Sequence, residues 1–385
     1  MKILWLCSWF PNELDAYGGD FIERHAKSLA IHHPVDVIHI VQNQKLSNEA
    51  GTLFCKSEKD GLRVMAHTVP VLMLNIPFFN KITFNIRYLV FLKKVLNLYI
   101  SENGRPDLVH VHVPVKIGAG ALYLKKKFDI PFVVTEHNSA YFPHIPFHYH
   151  SLNFFYQWIT RKTFQEALSV SSVSQWLISR LDFLFKPGNL NLIRNSVDTN
   201  VFYYEPSVNA KKRFIHVSMM EPLKNVKGII SAFIALNSTY TDWELILVGP
   251  LNTDYQQMAK EGGIGEKVIF TGLIRYDEVA SQMRSADAIV HFSLYENLPC
   301  VITEALCCGL FVLASDVGGI REVITPENGV LVASEDIQGL TRAIATYLNR
   351  SDLYDRKKIS EQAASVYNYR VIGFEMLQWY QGLLK

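Results

Sequence analysis

The 385-residue chain carries 38 Lys and Arg against 36 Asp and Glu, with 49% hydrophobic and 19% charged residues. That balance excludes a disordered or strongly polyionic chain, and the length exceeds one ordinary core, so two folded domains are expected. No apolar run is long enough to span a bilayer, and the first residues show no cleavage-site pattern. The cysteines, Cys7, Cys55, Cys300, Cys307 and Cys308, are odd in number and lack histidines at ligand spacing. They read as small buried residues in a reducing compartment rather than a disulfide framework or a zinc site, and a cytoplasmic protein is expected. Charge is uneven: residues 1–195 hold 21 Lys and Arg against 14 Asp and Glu, whereas residues 196–385 hold 17 against 22. A basic first half suits an anionic surface or acceptor, and equally suits ordinary solubility charge. Nothing implies nucleic acid.

In chain order, residues 2–7 predict a buried strand, followed by a loop ending in Gly18-Gly19 and a helix opened by Asp20 as N-cap. Residues 35–41 predict a second strand. Residues 70–100 combine apolar and aromatic residues with Lys81, Arg87, Lys93 and Lys94 and no acid. This fits a basic surface lying on a membrane, or a helix that buries its apolar side. Strands over 107–113 and 131–135 flank a helix over 116–128, and the second strand ends in Thr135-Glu136-His137-Asn138. His144, His148 and His150 show no ligand pattern with paired carboxylates, so no metal site is read there. Residues 170–174 and then the segment 192–198 close this half. Residues 199–213, polar with Pro206 and Lys211-Lys212-Arg213, read as a linker.

The second half repeats the alternation. A strand over 214–219 leads through Glu221-Pro222-Leu223-Lys224-Asn225 into a helix. Strands then end at Gly249 and at Gly272-Leu273-Ile274, and a helix covers 279–286. Residues 370–384 predict a final aromatic helix. Between them, residues 287–332 read as strand, loop, helix, strand. The helix is opened by Pro299, and the second strand ends in Asp316-Val317-Gly318-Gly319. Loops at the carboxyl ends of parallel strands are where open α/β sheets bind ligands. Glu296 precedes this helix and Glu304 lies about five residues inside it, on the order of 7 Å along its axis. The backbone N–H groups over 298–301 and the helix dipole suit an anion such as a diphosphate between the two carboxylates.

Glu296 and Glu304, with Gly318-Gly319, Glu322 and Asn328-Gly329, resemble the signature of the family 4 retaining glycosyltransferases (glycosyl transferases group 1). The resemblance implies the GT-B fold: α/β, with two Rossmann-like doubly wound parallel-sheet domains facing each other across a cleft. Domain one would be residues 1–198 closed by the C-terminal helix at 370–385, and domain two residues 214–369. By resemblance, Glu296 meets the donor sugar's hydroxyls and Glu304 the ribose. Asn297, Leu298 and Pro299 line the donor, and the strand ends at Gly249 and at Gly272, Leu273 and Ile274 meet the nucleobase. Gly18, Gly19 and Asn138 border the cleft, His137 lies beside the donor sugar, and the aromatic stretch 141–158 lies on the acceptor side. Lys224 takes the position of a lysine that grips the diphosphate. The partnering arginine position holds Met219 or its neighbour Ser218, a departure that Arg275 or Arg321 would have to compensate.

The function implied is metal-independent, retaining transfer of a sugar from a nucleotide diphospho-sugar, a UDP-sugar before a GDP-sugar. The acceptor is a glycan or lipid-linked glycan, with no cofactor and with peripheral membrane association through the basic first domain. A nucleotide-sugar epimerase on the same fold, or a catalytically silent nucleotide-sugar-binding partner, stands as the alternative.

Overall fold

A computed structural model describes residues 1–43, 53–70, 77–143, 145, 148–206 and 210–385. Residues 71–76 of the basic apolar stretch, His144, and residues 207–209 of the expected linker lie outside the described residues, as do the side chains of Cys55 and Lys81. The chain divides into two compact units: Met1–Arg194 with Tyr369–Lys385, and Asn195–Asn368.

The first unit carries strands β1 (Ile3–Cys7), β2 (Val35–Asn43), β3 (Leu53–Lys59), β4 (Leu62–Pro70), β5 (Leu108–His112), β6 (Phe132–Glu136), β7 (Val170–Ser172) and β8 (Leu190–Leu192). They form one sheet in the order β3-β4-β2-β1-β5-β6-β7-β8. All pairings are parallel except β3 with β4. That antiparallel edge strand is not evident from its sequence, whose Lys56, Glu58 and Lys59 hide the alternation. Helices α1 (Asp20–Ala30), α2 (Pro77–Asn103), α3 (Gly118–Phe128), α4 (Phe154–Glu166), α5 (Gln175–Phe185) and α12 (Tyr369–Leu383) cover both faces.

Side chains alternate across a strand, so β1 feeds two cores. Leu4 and Leu6 join Leu92, Leu96 and Leu124 from α2 and α3. Ile3, Trp5 and Cys7 join Ile22 and Leu29 from α1 and Ile372, Met376 and Tyr380 from α12. Burial on both sides is why the strand reads as an unbroken apolar run. In α2, Tyr88, Leu92, Val95, Leu96 and Tyr99 are core residues, so this face of the helix packs inward.

The second unit carries β9 (Lys212–Val217), β10 (Trp243–Val248), β11 (Val268–Gly272), β12 (Ala288–His291), β13 (Phe311–Ser315) and β14 (Gly329–Val332). They form an all-parallel sheet in the order β11-β10-β9-β12-β13-β14. Helices α6 (Val226–Leu236), α7 (Thr253–Glu261), α8 (Tyr276–Ser285), α9 (Cys300–Cys307), α10 (Ile337–Arg350) and α11 (Arg356–Tyr367) enclose it. Strand β9 starts at Lys212, inside the stretch read as linker: Lys212 and Arg213 pair with Trp243 and Glu244 of β10, and at the amino end of this central strand their long, half-buried stems can carry the charges out to solvent. Residues 195–206 likewise belong to the second unit, where Phe202 is a core residue.

Both sheets reverse their order once, between β1 and β5 and between β9 and β12. These reversals open crevices outside the strand ends, which sets where the functional side chains gather.

Candidate active site

In the second unit the loops after β9 and β12 leave the sheet side by side. The β9 loop ends in a turn over Pro222–Lys224, and Leu294 N–H donates to Leu223 O at 2.8 Å, tying it to the β12 loop. Lys224 and Glu296 thereby meet: Lys224 Nζ lies 2.5 Å from Glu296 Oε1. The same oxygen lies 2.9 Å from His291 Nε2, and His291 closes β12 with its ring buried. Burial pushes the Glu296 carboxyl up, but the Lys224 ammonium and the His291 hydrogen bond outweigh it and bring its pKa down to about 2. Glu296 is therefore a partly buried, fully ionised carboxylate with two donors on one oxygen.

The turn bearing Lys224 is fixed from below. His216 Nδ1 faces Val290 O at 2.9 Å, and a carbonyl only accepts, so Nδ1 carries the proton. Nε2 then accepts from Ser218 Oγ at 2.8 Å, and Ser218 Oγ accepts from Met220 N–H at 3.0 Å. Burial lowers the His216 pKa to about 3, which keeps the ring neutral and this polarity fixed. The clasp holds Met220 at φ +56, an unusual conformation for a long side chain. Gly249 packs against the same turn, where a Cβ would fall 2.0 Å from Ser218 O.

The β12 loop is equally constrained. Asn195 Nδ2 donates to Leu298 O at 2.8 Å, and Ser315 Oγ donates to Ser293 O at 2.5 Å. Gly319 N–H donates to Asn297 O at 2.7 Å. Helix α9 begins at Cys300 with Pro299 as its N-cap. Proline has no N–H, so the row of donors expected over 298–301 is interrupted at its second member, and Ile302 N–H is directed to Pro299 O at 3.1 Å. Glu304 lies on the first turn and a half of α9, only 2% exposed, with Tyr276 Oη donating to its Oε1 at 3.2 Å. Beyond the ends of β10 and β11, Gly272 stands at φ +73 and its missing Cβ faces Leu251; Leu251 and Leu273 are exposed, while Ile274 packs into the core.

The arginines considered as substitutes are engaged elsewhere. Arg275 holds Asp277, and Arg321 holds Asp316 with two bonds of 3.0 and 2.8 Å. Met219, at the arginine position, is exposed.

In the first unit, Gly18, Gly19, His137 and Asn138 stand around the β1/β5 crevice. Gly19 caps α1 at φ +82, and a Cβ there would fall 2.6 Å from Trp9 C. Phe21 and His25 from α1 approach the His137 ring, with centroids at 4.8 and 5.3 Å. His112 Nδ1 lies 3.2 Å from His137 Nε2. Burial lowers the His25, His110, His112 and His137 pKa values, so this cluster is a set of neutral rings. The loop bearing His137 and Asn138 hangs on Glu136, whose Oε1 accepts from both of their backbone N–H groups at 2.8 Å and whose Oε2 accepts from Tyr141 Oη. Glu136 also lines a cavity of about 110 Å³ with Val113, Asn138, Tyr141 and Tyr149. The stretch 141–158 is partly core: Tyr141 and Tyr149 are buried.

Sequence reasoning named Lys224, Glu296 and Glu304 but missed His291, His216, Tyr276 and Asn195. The two histidines interrupt apolar strands and look like half-buried strand residues. Asn195 and Tyr276 are distant in sequence, and only the fold brings them in.

Two family models match this chain. "Glycosyl transferases group 1" matches residues 204–366, and "Glycosyltransferase Family 4" matches residues 19–201. The chain belongs to this glycosyltransferase family. Among curated relatives, the N-acetyl-alpha-D-glucosaminyl L-malate synthase of Bacillus anthracis is 26% identical over 305 residues, 72% of this chain and 77% of that protein. Among solved structures, the sucrose-phosphate synthase of Thermosynechococcus elongatus superimposes with a TM-score of 0.76 at 19% identity, over 100% of this chain and 99% of that one. Anabaena HepE in complex with UDP gives 0.75 at 19% identity, over 99% and 100%. The two α/β units are thus those of a GT-B glycosyltransferase, and the protein is an enzyme of that class.

Proposed function

We propose that this glycosyltransferase moves a sugar, with retention of anomeric configuration, from a nucleotide diphospho-sugar to a hydroxyl of a glycan or lipid-linked glycan in cell-surface polysaccharide synthesis. A UDP-sugar is favoured over a GDP-sugar. The observation that carries this reading is the pairing of Lys224 with Glu296 beside the start of α9, with buried Glu304 one turn further on. A cation, a helix start and two carboxylates in that order match a diphosphate flanked by a sugar and a ribose. HepE, a relative in fold, was solved with UDP and with UDP-glucose, which supports the choice of base.

In the proposed step the acceptor oxygen bonds to the anomeric carbon as the bond from that carbon to the diphosphate oxygen breaks. The acceptor proton passes to a donor phosphate oxygen. Lys224 and the α9 amides stabilise the departing diphosphate. Glu296 orients the sugar hydroxyls. The reading takes charge stabilisation from these groups, without a required metal.

A thermal-shift panel of UDP, GDP and ADP with their common sugars tests the donor, because a bound ligand raises the melting temperature by mass action. Release of free nucleotide from the stabilising donor, unchanged by EDTA, then tests turnover, and NMR of the product anomer tests retention. No stabilisation by any member overturns the reading. The exposed Met219 at the arginine position favours one second reading, a silent binder. Stabilisation without any nucleotide release would support it.

We also propose peripheral membrane association. Tyr156 of α4 is bonded to Asn85 of α2, so the two helices adjoin, and they expose Ile86, Val90, Phe154, Phe155 and Trp158. No acid occurs over residues 61–101 or 137–165, which suits an anionic bilayer. Co-sedimentation with anionic vesicles at low salt, lost in a Phe154→Ser/Trp158→Ser variant, is expected. A protein that stays in the supernatant excludes it.

A further inference from the structure

One oxygen of Glu296 accepts from two donors of very different mobility. Lys224 reaches it along a flexible four-carbon stem from a surface turn, whereas His291 is the last residue of β12, fixed by the sheet and buried. The His291 ring stacks on that of His216 at 6.0 Å and 27°, and Ser293 Oγ lies 3.1 Å from the same Nε2. His291 Nδ1 is buried without a hydrogen-bond partner. Nε2 therefore carries the proton, and Glu296, a carboxylate at 2.9 Å, is a stronger acceptor for it than the Ser293 hydroxyl at 3.1 Å.

A diphosphate that recruits Lys224 competes with Glu296 for a single ammonium. Withdrawing the only partner from a partly buried carboxylate would leave an uncompensated charge, an expensive state. A second donor already in place on the same oxygen removes that obstacle. We propose that His291 is a positioning residue that keeps Glu296 ionised and oriented while Lys224 swings from Glu296 to the donor's diphosphate. The inference rests on the donor reading above and assigns the division of labour within it. Lys224 is the mobile cation, His291 the fixed clamp, and the His216–Ser218–Met220 clasp the floor that keeps the Lys224 turn in reach.

A stability cycle tests the clamp without any ligand. Lys224→Ala and His291→Leu should each lower the melting temperature modestly, because the other donor remains. The double variant should lose about 3 °C or more beyond their sum. That excess should vanish in a Glu296→Gln background. Additive losses would overturn the clamp, and they would do so even if no nucleotide bound the wild type, an outcome that counts separately against the donor reading. The second arm measures UDP affinity by calorimetry. His291→Leu should bind at least tenfold more weakly, and His291→Gln, whose amide N–H replaces Nε2–H, should recover most of the loss. Wild-type affinity in a folded His291→Leu protein would show that Lys224 needs no stand-in and would sink the proposal.

Discussion

The carbonyl oxygen of Glu296 fills the space beside Gly318: a Cβ on Gly318 would lie 2.0 Å from it and 2.9 Å from Asn297 O. Gly318 also stands at φ +58, where L-residues are strained. With the Gly319 to Asn297 hydrogen bond, this contact fastens the loop after β13 onto the loop after β12. The glycine pair of the motif thus holds the glutamate's backbone in place.

Gly318→Ala should therefore push the Glu296 loop aside. The expected loss is about 2–4 kcal/mol in stability, combining the left-handed strain with a backbone clash. Donor turnover should fall further than stability does. Gly382→Ala, with open space around it in α12, is the control and should unfold at the wild-type midpoint. A Gly318→Ala midpoint equal to wild type in urea would refute the fastening.

Glu304 is the more deeply buried of the two motif carboxylates, and Tyr276 Oη donates to it from α8. Glu304→Ala should abolish nucleotide-sugar binding. Tyr276→Phe removes one hydrogen bond to a charged group, worth about 1.5 kcal/mol, and should weaken binding by about tenfold. Calorimetry on both variants checks the order: a Tyr276→Phe effect equal to that of Glu304→Ala would mean that the tyrosine contacts ligand itself.

Glu136 gives the pH dependence of the first unit. Burial raises its pKa from 4.5 to about 7, against the three hydrogen bonds that favour the anion. A carboxyl raised in the folded state takes up its proton more readily there than when unfolded. Its contribution is thus fully present below the unfolded pKa and is lost as pH rises through about 7. Between pH 4.5 and 7 the wild type should lose about 3 kcal/mol relative to Glu136→Gln, which mimics the protonated acid. Parallel stability profiles for the two proteins over that range would show that the carboxylate is ionised throughout.

The sequence makes the parallel α/β architecture legible because strands are buried on both faces: β1 is a continuous apolar run, followed by a loop that carries Pro11, Gly18 and Gly19. Local periodicity also locates α9 and with it the spacing of Glu296 and Glu304. It does not reveal contacts made across strands. His216 and His291 belong to the site only because β9 and β12 are sheet neighbours at the point where strand order reverses. The stretch 70–100 had two readings, and α2 packs five of its large residues inward. Its exposed Ile86 and Val90 gain meaning only beside α4, a neighbour that no helical periodicity names.

The loop after β9 offers a gain-of-function test. Met219 occupies the place of the arginine that the family resemblance implies, and its side chain is 51% exposed. It lies between Ser218, whose hydroxyl is held by His216, and Met220, whose backbone N–H that hydroxyl holds. A longer side chain at 219 therefore need not disturb the clasp. Met219→Arg should add a charge-assisted bond to a diphosphate at the Lys224 turn, at about 1.5–3 kcal/mol for a hydrogen bond to a charged group. Exposure and salt screening reduce this, so a three- to thirtyfold gain in UDP affinity at low salt is expected, shrinking as ionic strength rises. Uridine, which has no phosphate, should bind as before. An equal gain for uridine would place the new guanidinium on the nucleoside, and no gain for UDP would mean that the turn does not face the diphosphate.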